Sequence, residues 1–473
     1  MPGDDRVFDV VIVGAGSAGC AAAAEAVRAG RSVALVEAGP DYGAFSRRWP
    51  RDILDPRRRT ERHDWGFEAQ LRRGVSTDEA RARVVGGCSA HNECAAVWPP
   101  AEDIDRWRVP GWSSRELAPL VDRVESATGG AVVRGRAGAV PTRAWRDDEL
   151  SRWQAAFLES AVASGYARLE DASAPGPATG VAPFHANVRD GVRWNAAFAF
   201  LDPVRDRVAI LDRTVAVRLV VRGDRAASLE CRQGRRALAL RAETFVLCAG
   251  TYGSPALLFR SRVRSPDLGR GLQDHPGVAL AYRPRERSSA RRLPFRSQVV
   301  LRASSGASPL PWDLHVVPYQ TEPDELLVFV FAMAPLSRGQ VDLRRGEPRI
   351  RFRFFEGAGR RDEDALLAGV GIARAVAARF AAFAVETDPG EGARTPAQLR
   401  RWIRANVTSY SHASGTCRMG VDPASVVDER CRVRGSRNLV VADASIVPCI
   451  PRANTNLLCM LIGARAAQLL PAT

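Results

Sequence analysis

The chain has 473 residues, 46% of them hydrophobic, enough for two domains or one large two-part unit with a substantial core. Its formal net charge is +15, but all 68 basic residues are arginine and they are interspersed with 53 acids, which argues against a nucleic-acid-binding stripe. The absence of lysine excludes Schiff-base, pyridoxal-phosphate and P-loop chemistry, each of which needs a lysine amine. The densest basic cluster, Arg283 to Arg296, carries one aromatic residue and no recognition module around it. Nine cysteines form no CxxC pair, and no basic-then-apolar leader precedes the first apolar run, so the expected setting is a reducing cytoplasm. The longest apolar stretch, Val10 to Val27, is broken by three glycines and Glu25, so no membrane span is expected.

In chain order, Val10–Val13 reads as a buried strand running into Gly14, Gly16 and Gly19 at GxGxxG spacing. An alanine-rich helix follows over Ser17–Arg28 and stops at Gly30, and a second strand, Ser32–Val36, ends at Glu37. In such a unit the glycines let the backbone approach a pyrophosphate at the helix N-terminus, and the acid accepts hydrogen bonds from ribose hydroxyls. The motif by itself does not distinguish NAD from FAD. Next comes VGGCSAHNEC, which sets Gly86 and Gly87 ahead of His91 in a chain with only six histidines. Glycines permit close approach to a flat ring, and a neutral imidazole nitrogen is a competent nucleophile. Near the C-terminus His412 opens HASGTCRMG, and a helix is expected from about Thr455 to Leu470.

The stretch RVVGGCSAHNECAAVWPPAEDIDRW from Arg83 resembles the signature of the glucose-methanol-choline (GMC) oxidoreductases, which bind FAD, and within them the choline oxidase branch. GTYGSPALL from Gly250, LQDHP from Leu272, RWNAAFAFLDP from Arg193, HASGTCRMG, and NLVVADASIVPCIPRANTNLLCML from Asn438 extend the resemblance over nearly the whole chain. It implies an α/β fold: a Rossmann-like FAD/NAD(P)-binding domain with an α+β substrate-binding cap. The implied division is 1–274 for the N-terminal part of the FAD domain, 275–405 for the cap and 406–473 for the C-terminal part.

The resemblance places His91 where the branch joins its flavin covalently, against the plainer alternative of a histidine that packs near the ring. It places Asn92 beside the flavin, Val215 near the adenine, Asp443 at the ribityl chain, and His275 in a packing role. His412 becomes the base and Asn454 the second active-site residue. An alcohol proton is too weakly acidic to leave unaided at neutral pH; His412 would take it while hydride passes from the carbinol carbon to flavin N5. The implied reaction is oxidation of a primary or secondary alcohol to an aldehyde or ketone. The partners expected are a small-molecule alcohol and molecular oxygen or another electron acceptor, with a homodimer compatible with the sequence. The arginine-rich coding fits a high-GC bacterium, where tailoring of a secondary metabolite is the expected setting. A lyase on the same fold, with FAD only structural, is the alternative; a serine hydrolase is disfavoured because no GxSxG occurs.

Substrate residues depart from the branch. Gln298 or a neighbour stands where choline oxidase carries the glutamate facing the trimethylammonium group. Val317 replaces a cap histidine, although His315, two residues earlier, would share its strand face. Glu93 replaces a small hydroxyl residue; strand alternation from His91 would aim it at the flavin, as a substrate ligand or second base, while an arginine-paired glutamate is the alternative. Choline is therefore not the expected substrate.

Overall fold

Strand Val7–Val13 is buried from Val10 onward, because the run VVIV lies between other strands and carries branched side chains on both faces. In a computed structural model, which describes residues 6–58, 60, 62–130, 134–174, 176, 178–286 and 293–471, it is the middle of a seven-stranded sheet. Val208–Leu211, Val33–Val36, Val7–Val13, the second half of Arg236–Leu247, and Leu439–Val441 run parallel in that spatial order. Two antiparallel strands, Arg225–Gln233 and Thr214–Arg222, extend the sheet. The first helix, Ser17–Arg28, has the expected bounds. It packs on the closing helix, Asn456–Gln468, which is slightly shorter than the expected Thr455–Leu470. Gly463 allows that contact, since a Cβ there would lie 2.1 Å from the Ala18 carbonyl oxygen.

A second, antiparallel sheet carries Ala384–Asp388, Pro276–Pro284, Leu326–Ala332, Leu314–Gln320, Val299–Ala303 and Gly180–Pro183 in that order, and Thr408–Ser409 pairs with Pro276–Gly277. Helices Arg152–Ala163 and Arg360–Ala377 cover one face, joining Phe157, Leu366 and Val370 to Leu280, Leu301, Val316 and Val330 in one core. On the other face the register aligns Arg302, His315, Phe331 and Gly277 in a row. Gly277 is needed there because a Cβ would come within 2.2 Å of the Phe331 ring.

This sheet is therefore not drawn from residues 275–405 alone. Val299–Ala303 takes its outer partner from Gly180–Pro183, which lies far upstream, because an unpartnered strand would leave its backbone N–H and C=O groups exposed. A third sheet interleaves the units further, pairing Phe67–Arg72 with Glu347–Arg351. Among the described residues no helix is long and apolar enough to cross a membrane. The basic cluster at 283–296 lies partly outside the described residues.

Candidate active site

The two glycine-rich loops, about 70 residues apart in sequence, meet at the end of the parallel sheet. Gly14 has φ 99°, and a Cβ on it would lie 2.5 Å from the Cys248 carbonyl oxygen; a Cβ on Gly87 (φ 53°) would lie 2.4 Å from the Gly16 Cα. A Cβ on Gly19 would strike the Gly14 carbonyl at 1.9 Å. The first helix begins without a side-chain cap, so its N–H groups point at whatever occupies the cleft. Glu37 ends the second strand as expected. Its carboxylate accepts from Ala15 N (3.0 Å) and Gly39 N (2.8 Å), and burial pushes its pKa up to about 7 against those two bonds. Thr214 N donates to the Glu37 carbonyl at 2.8 Å, which brings Val215 alongside. Asp443 accepts from Gly250 N (2.9 Å), Ser254 Oγ (2.5 Å) and Ser445 N (2.8 Å), binding the turn before the closing helix to the start of helix Gly250–Arg260.

Gly86 (φ 102°) leads into a 3₁₀ turn over Gly87–Ala90 that His91 terminates. Arg193, fully buried, fixes this loop by donating to the carbonyls of Ala90 (2.9 Å), Asn92 (3.0 Å), Asp52 (2.9 Å), Ile53 (2.7 Å), Asp55 (3.3 Å) and Arg58 (2.9 Å). His91 Nε2 is buried without a hydrogen-bond partner. Burial, reinforced by the Arg193 charge, pushes the His91 pKa down to about 4, so the imidazole is neutral at pH 7. The Asn92 side-chain oxygen accepts from Cys94 N at 3.1 Å.

The third component lies below the cap sheet. His412 Nε2 is 3.2 Å from Asn454 Nδ2, and His412 Nδ1 is 3.1 Å from His275 Nδ1. His275 Nε2 is in turn 3.1 Å from the Pro451 carbonyl oxygen, which can only accept. The His275 proton therefore sits on Nε2. Burial pushes the His275 pKa down to about 3, so its Nδ1 is bare and must accept from His412 Nδ1–H. Burial also holds His412 well below its usual range, which leaves Nε2 as its bare nitrogen, facing Asn454. Asp274 Oδ1 accepts from His412 N (3.0 Å) and His275 N (2.7 Å), anchoring both rings from one carboxylate. His315 is buried with both ring nitrogens unpartnered, stacks on Trp312 (5.3 Å, 11°) and meets Tyr410 edge-on at 6.3 Å. Tyr410 lies 4.3 Å from His412, ring centre to ring centre. Beneath Trp312, Arg452 donates to Asp103 and Glu102 and to the Trp312 carbonyl.

Two substrate-site expectations change. Residues 91–94 are a turn, with Cys94 at φ 63°, so strand alternation does not orient Glu93. Glu93 Oε1 instead accepts from Arg296 (2.6 Å) and Tyr319 Oη (3.1 Å): the arginine-paired alternative. Gln298 is buried and turned to the N-terminus of helix Arg152–Ala163, accepting from Ser151 N and donating to the Glu149 carbonyl, so it does not face the site; its neighbour Arg296 does the reaching. His315 is brought beside Tyr410 as its strand position implies.

The model for the N-terminal region of GMC oxidoreductases matches residues 8–277, and that for the C-terminal region matches residues 335–463. The chain belongs to the GMC oxidoreductase family. It is 29% identical to choline oxidase of Arthrobacter globiformis over 98% of this chain and 94% of that one. It is 30% identical to the oxygen-dependent choline dehydrogenase of Brucella melitensis over 97% and 94%. The structure of pyridoxine 4-oxidase from Mesorbium loti superposes with a TM-score of 0.88 at 27% identity, covering 97% and 98%. As a GMC oxidoreductase the protein is an FAD-dependent enzyme acting on alcohol-type substrates.

The residues present fit that cofactor. The Gly14, Gly19 and Gly87 positions have no room for a Cβ, the uncapped helix start and Glu37 suit a pyrophosphate and a ribose, and His91 Nε2 lacks a protein partner. Three functional features of this GMC enzyme were not drawn from the sequence. His275 is a hydrogen-bond partner of His412 rather than only a packing residue; Arg193, legible as the first residue of a matching segment, holds the His91 loop; and Tyr410 stands two residues before His412 without a motif of its own.

Proposed function

We propose that the protein oxidises a primary or secondary alcohol to an aldehyde or ketone, with His412 as the base and Asn454 as the donor that steadies the alkoxide. FAD, when bound, supplies the acceptor for the hydride that leaves the carbinol carbon. The observation that carries the reading is the fixed tautomer: the Pro451 carbonyl and His275 oblige His412 to present a bare Nε2 beside the Asn454 amide. A substrate hydroxyl inserted there donates its proton to Nε2, and the Asn454 N–H, released from the ring, donates to the oxygen as charge builds on it. The imidazolium so formed keeps its Nδ1–H on His275. His315, neutral and unpartnered on the cap face, is a further hydrogen-bonding group for the same oxygen or its neighbour.

Similarity to choline oxidase and to pyridoxine 4-oxidase, two enzymes named for alcohol substrates, supports a small alcohol. We infer that His91, neutral with a free Nε2, carries the flavin covalently, that the enzyme works in the cytoplasm, and that the step is a tailoring reaction on a secondary metabolite. Replacing His412 by Ala tests the catalytic assignment. Bound FAD should persist while its anaerobic bleaching by an alcohol panel slows by roughly 10²- to 10⁴-fold; unchanged bleaching rules the role out. In the same preparations the denatured polypeptide should keep its yellow fluorescence, and a colourless band would remove the tether. Bleaching by alcohol also decides against a lyase, and peroxide released on turnover decides for an oxidase.

A further inference from the structure

The cap presents a second polar group away from His412. Arg296 and Tyr319 both converge on Glu93 Oε1, with the Glu93 side chain 34% and that of Arg296 9% exposed. Glu93 comes from the loop that holds His91, whereas Arg296 and Tyr319 come from the antiparallel sheet and the segment leading into it, so the three tie that loop to the sheet. Tyr319 is four residues from His315 on the same strand and face, about 13 Å away at ~3.3 Å per residue. A strip of rings joins the two ends. Tyr319 meets Phe329 at 5.2 Å, Phe329 stacks on Phe331 (5.3 Å, 4°), Phe331 stacks on Tyr410 (3.6 Å, 2°), and Tyr410 adjoins His412. Burial raises the Tyr410 phenol pKa, a hydrogen bond with Asn454 opposes this, and the Glu93 charge adds a smaller upward push.

We propose that Glu93, Arg296 and Tyr319 form the specificity end of the substrate pocket, selecting a flat aromatic alcohol whose far end carries a hydrogen-bond donor beside an acceptor. The inference rests on the alcohol-oxidising role proposed above. The charges of Glu93 and Arg296 cancel, so a quaternary ammonium, which has no N–H to donate, finds no net attraction there. Glu93 Oε2 has no hydrogen bond among the described residues, and Arg296 retains N–H groups beyond those directed at Glu93 and Tyr319. An amide, lactam or hydroxypyridine edge satisfies both at once, and the stacked rings accept its flat body.

Binding of two non-oxidisable probes, 4-methylbenzamide and ethyltrimethylammonium, to the holoenzyme by titration calorimetry tests this. The wild type should bind the amide at least about tenfold more tightly than the ammonium, the effect of one charge-assisted hydrogen bond. Glu93→Gln, nearly isosteric, should weaken the amide by about tenfold, and Arg296→Met, which leaves Glu93 uncompensated, should reverse the order. A wild type that prefers the ammonium or binds neither probe overturns the proposal, as does an amide-to-ammonium ratio unchanged in both variants. Flavin bleaching by 4-(hydroxymethyl)benzamide is read separately. The probe order without bleaching by any alcohol would overturn the oxidation while leaving the specificity site standing; bleaching without the order would do the reverse.

Discussion

At the scale of single residues, the position of one proton decides what His412 can do. Neutral imidazole has two tautomers, and only the one protonated at Nδ1 leaves Nε2 free to accept a proton from substrate. His275 enforces that choice because its own proton is spent on the Pro451 carbonyl. Replacing His275 by Phe removes the acceptor, and His412 can then take either tautomer. Flavin reduction by substrate should slow by about 10- to 100-fold, with the pH dependence of reduction displaced from the wild-type profile. His275→Asn, whose side-chain oxygen can still accept from His412 Nδ1–H, should recover part of the rate. Equal rates for Phe and Asn would show that His275 only packs. The same scale explains why Glu93 was misplaced. Its environment is set by Arg296, some 200 residues away, and local periodicity carries no information about that contact.

At the scale of elements, the loop holding His91 has almost no regular hydrogen bonding of its own, since a single 3₁₀ turn precedes it. Arg193 substitutes for the missing ladder by giving its guanidinium to six carbonyls on two segments, 52–58 and 90–92. A planar five-donor fork can do this; an ammonium cannot reach all of them. Arg193→Lys should therefore destabilise the protein by about 3 kcal/mol or more, the scale of a broken buried charged network. It should also lower FAD occupancy, measured by the ratio of flavin to protein absorbance after purification. Full occupancy and an unchanged melting temperature would show that the loop holds itself. The cap shows a comparable dependence. Its strand Val299–Ala303 is completed by residues 180–183, and its active-site face is set by register, which places Arg302, His315 and Phe331 side by side.

At the scale of the whole molecule, burying neutral histidines and protonated acids shapes stability with pH. His91, His275, His315 and His412 all have folded pKa values below the unfolded value, so between about pH 5 and 6.5 the unfolded chain binds protons on four imidazoles that the folded one leaves neutral. Their contribution is present above pH 6.5 and is lost as pH falls. Glu37 and Asp274 act oppositely: burial raises both, and the folded state holds two protons that the unfolded chain has released in that window. Four imidazoles against two carboxyls leave stability rising with pH from about pH 5 to 6.5. Melting temperatures of the apoprotein across this range should climb, then level near pH 7. A flat profile would mean that the histidines are charged in the folded state.

Much of the fold was legible because its signals are contiguous. The strand, glycines, helix and acid from Val10 to Glu37 lie within one stretch, and each residue's role follows from covalent spacing and helix geometry. His412 and Asn454 were legible through matching segments, and the structure brings them to 3.2 Å. The pairing of Val299–Ala303 with residues 180–183 and the direction of Gln298 were not, because strand pairing and side-chain direction in an antiparallel sheet depend on partners far away in sequence.

By itself, then, the sequence determined the nucleotide-binding unit, the absence of lysine chemistry and the residues that carry the family resemblance. All of these rest on residue identity at fixed separation along one chain. Only the tertiary structure decided which nitrogen of His412 is bare, what holds the His91 loop, and that Glu93 meets Arg296 rather than standing alone. Those outcomes depend on hydrogen bonds and charges between segments about 100 to 200 residues apart, where burial removes water and each donor must find its acceptor in the fold.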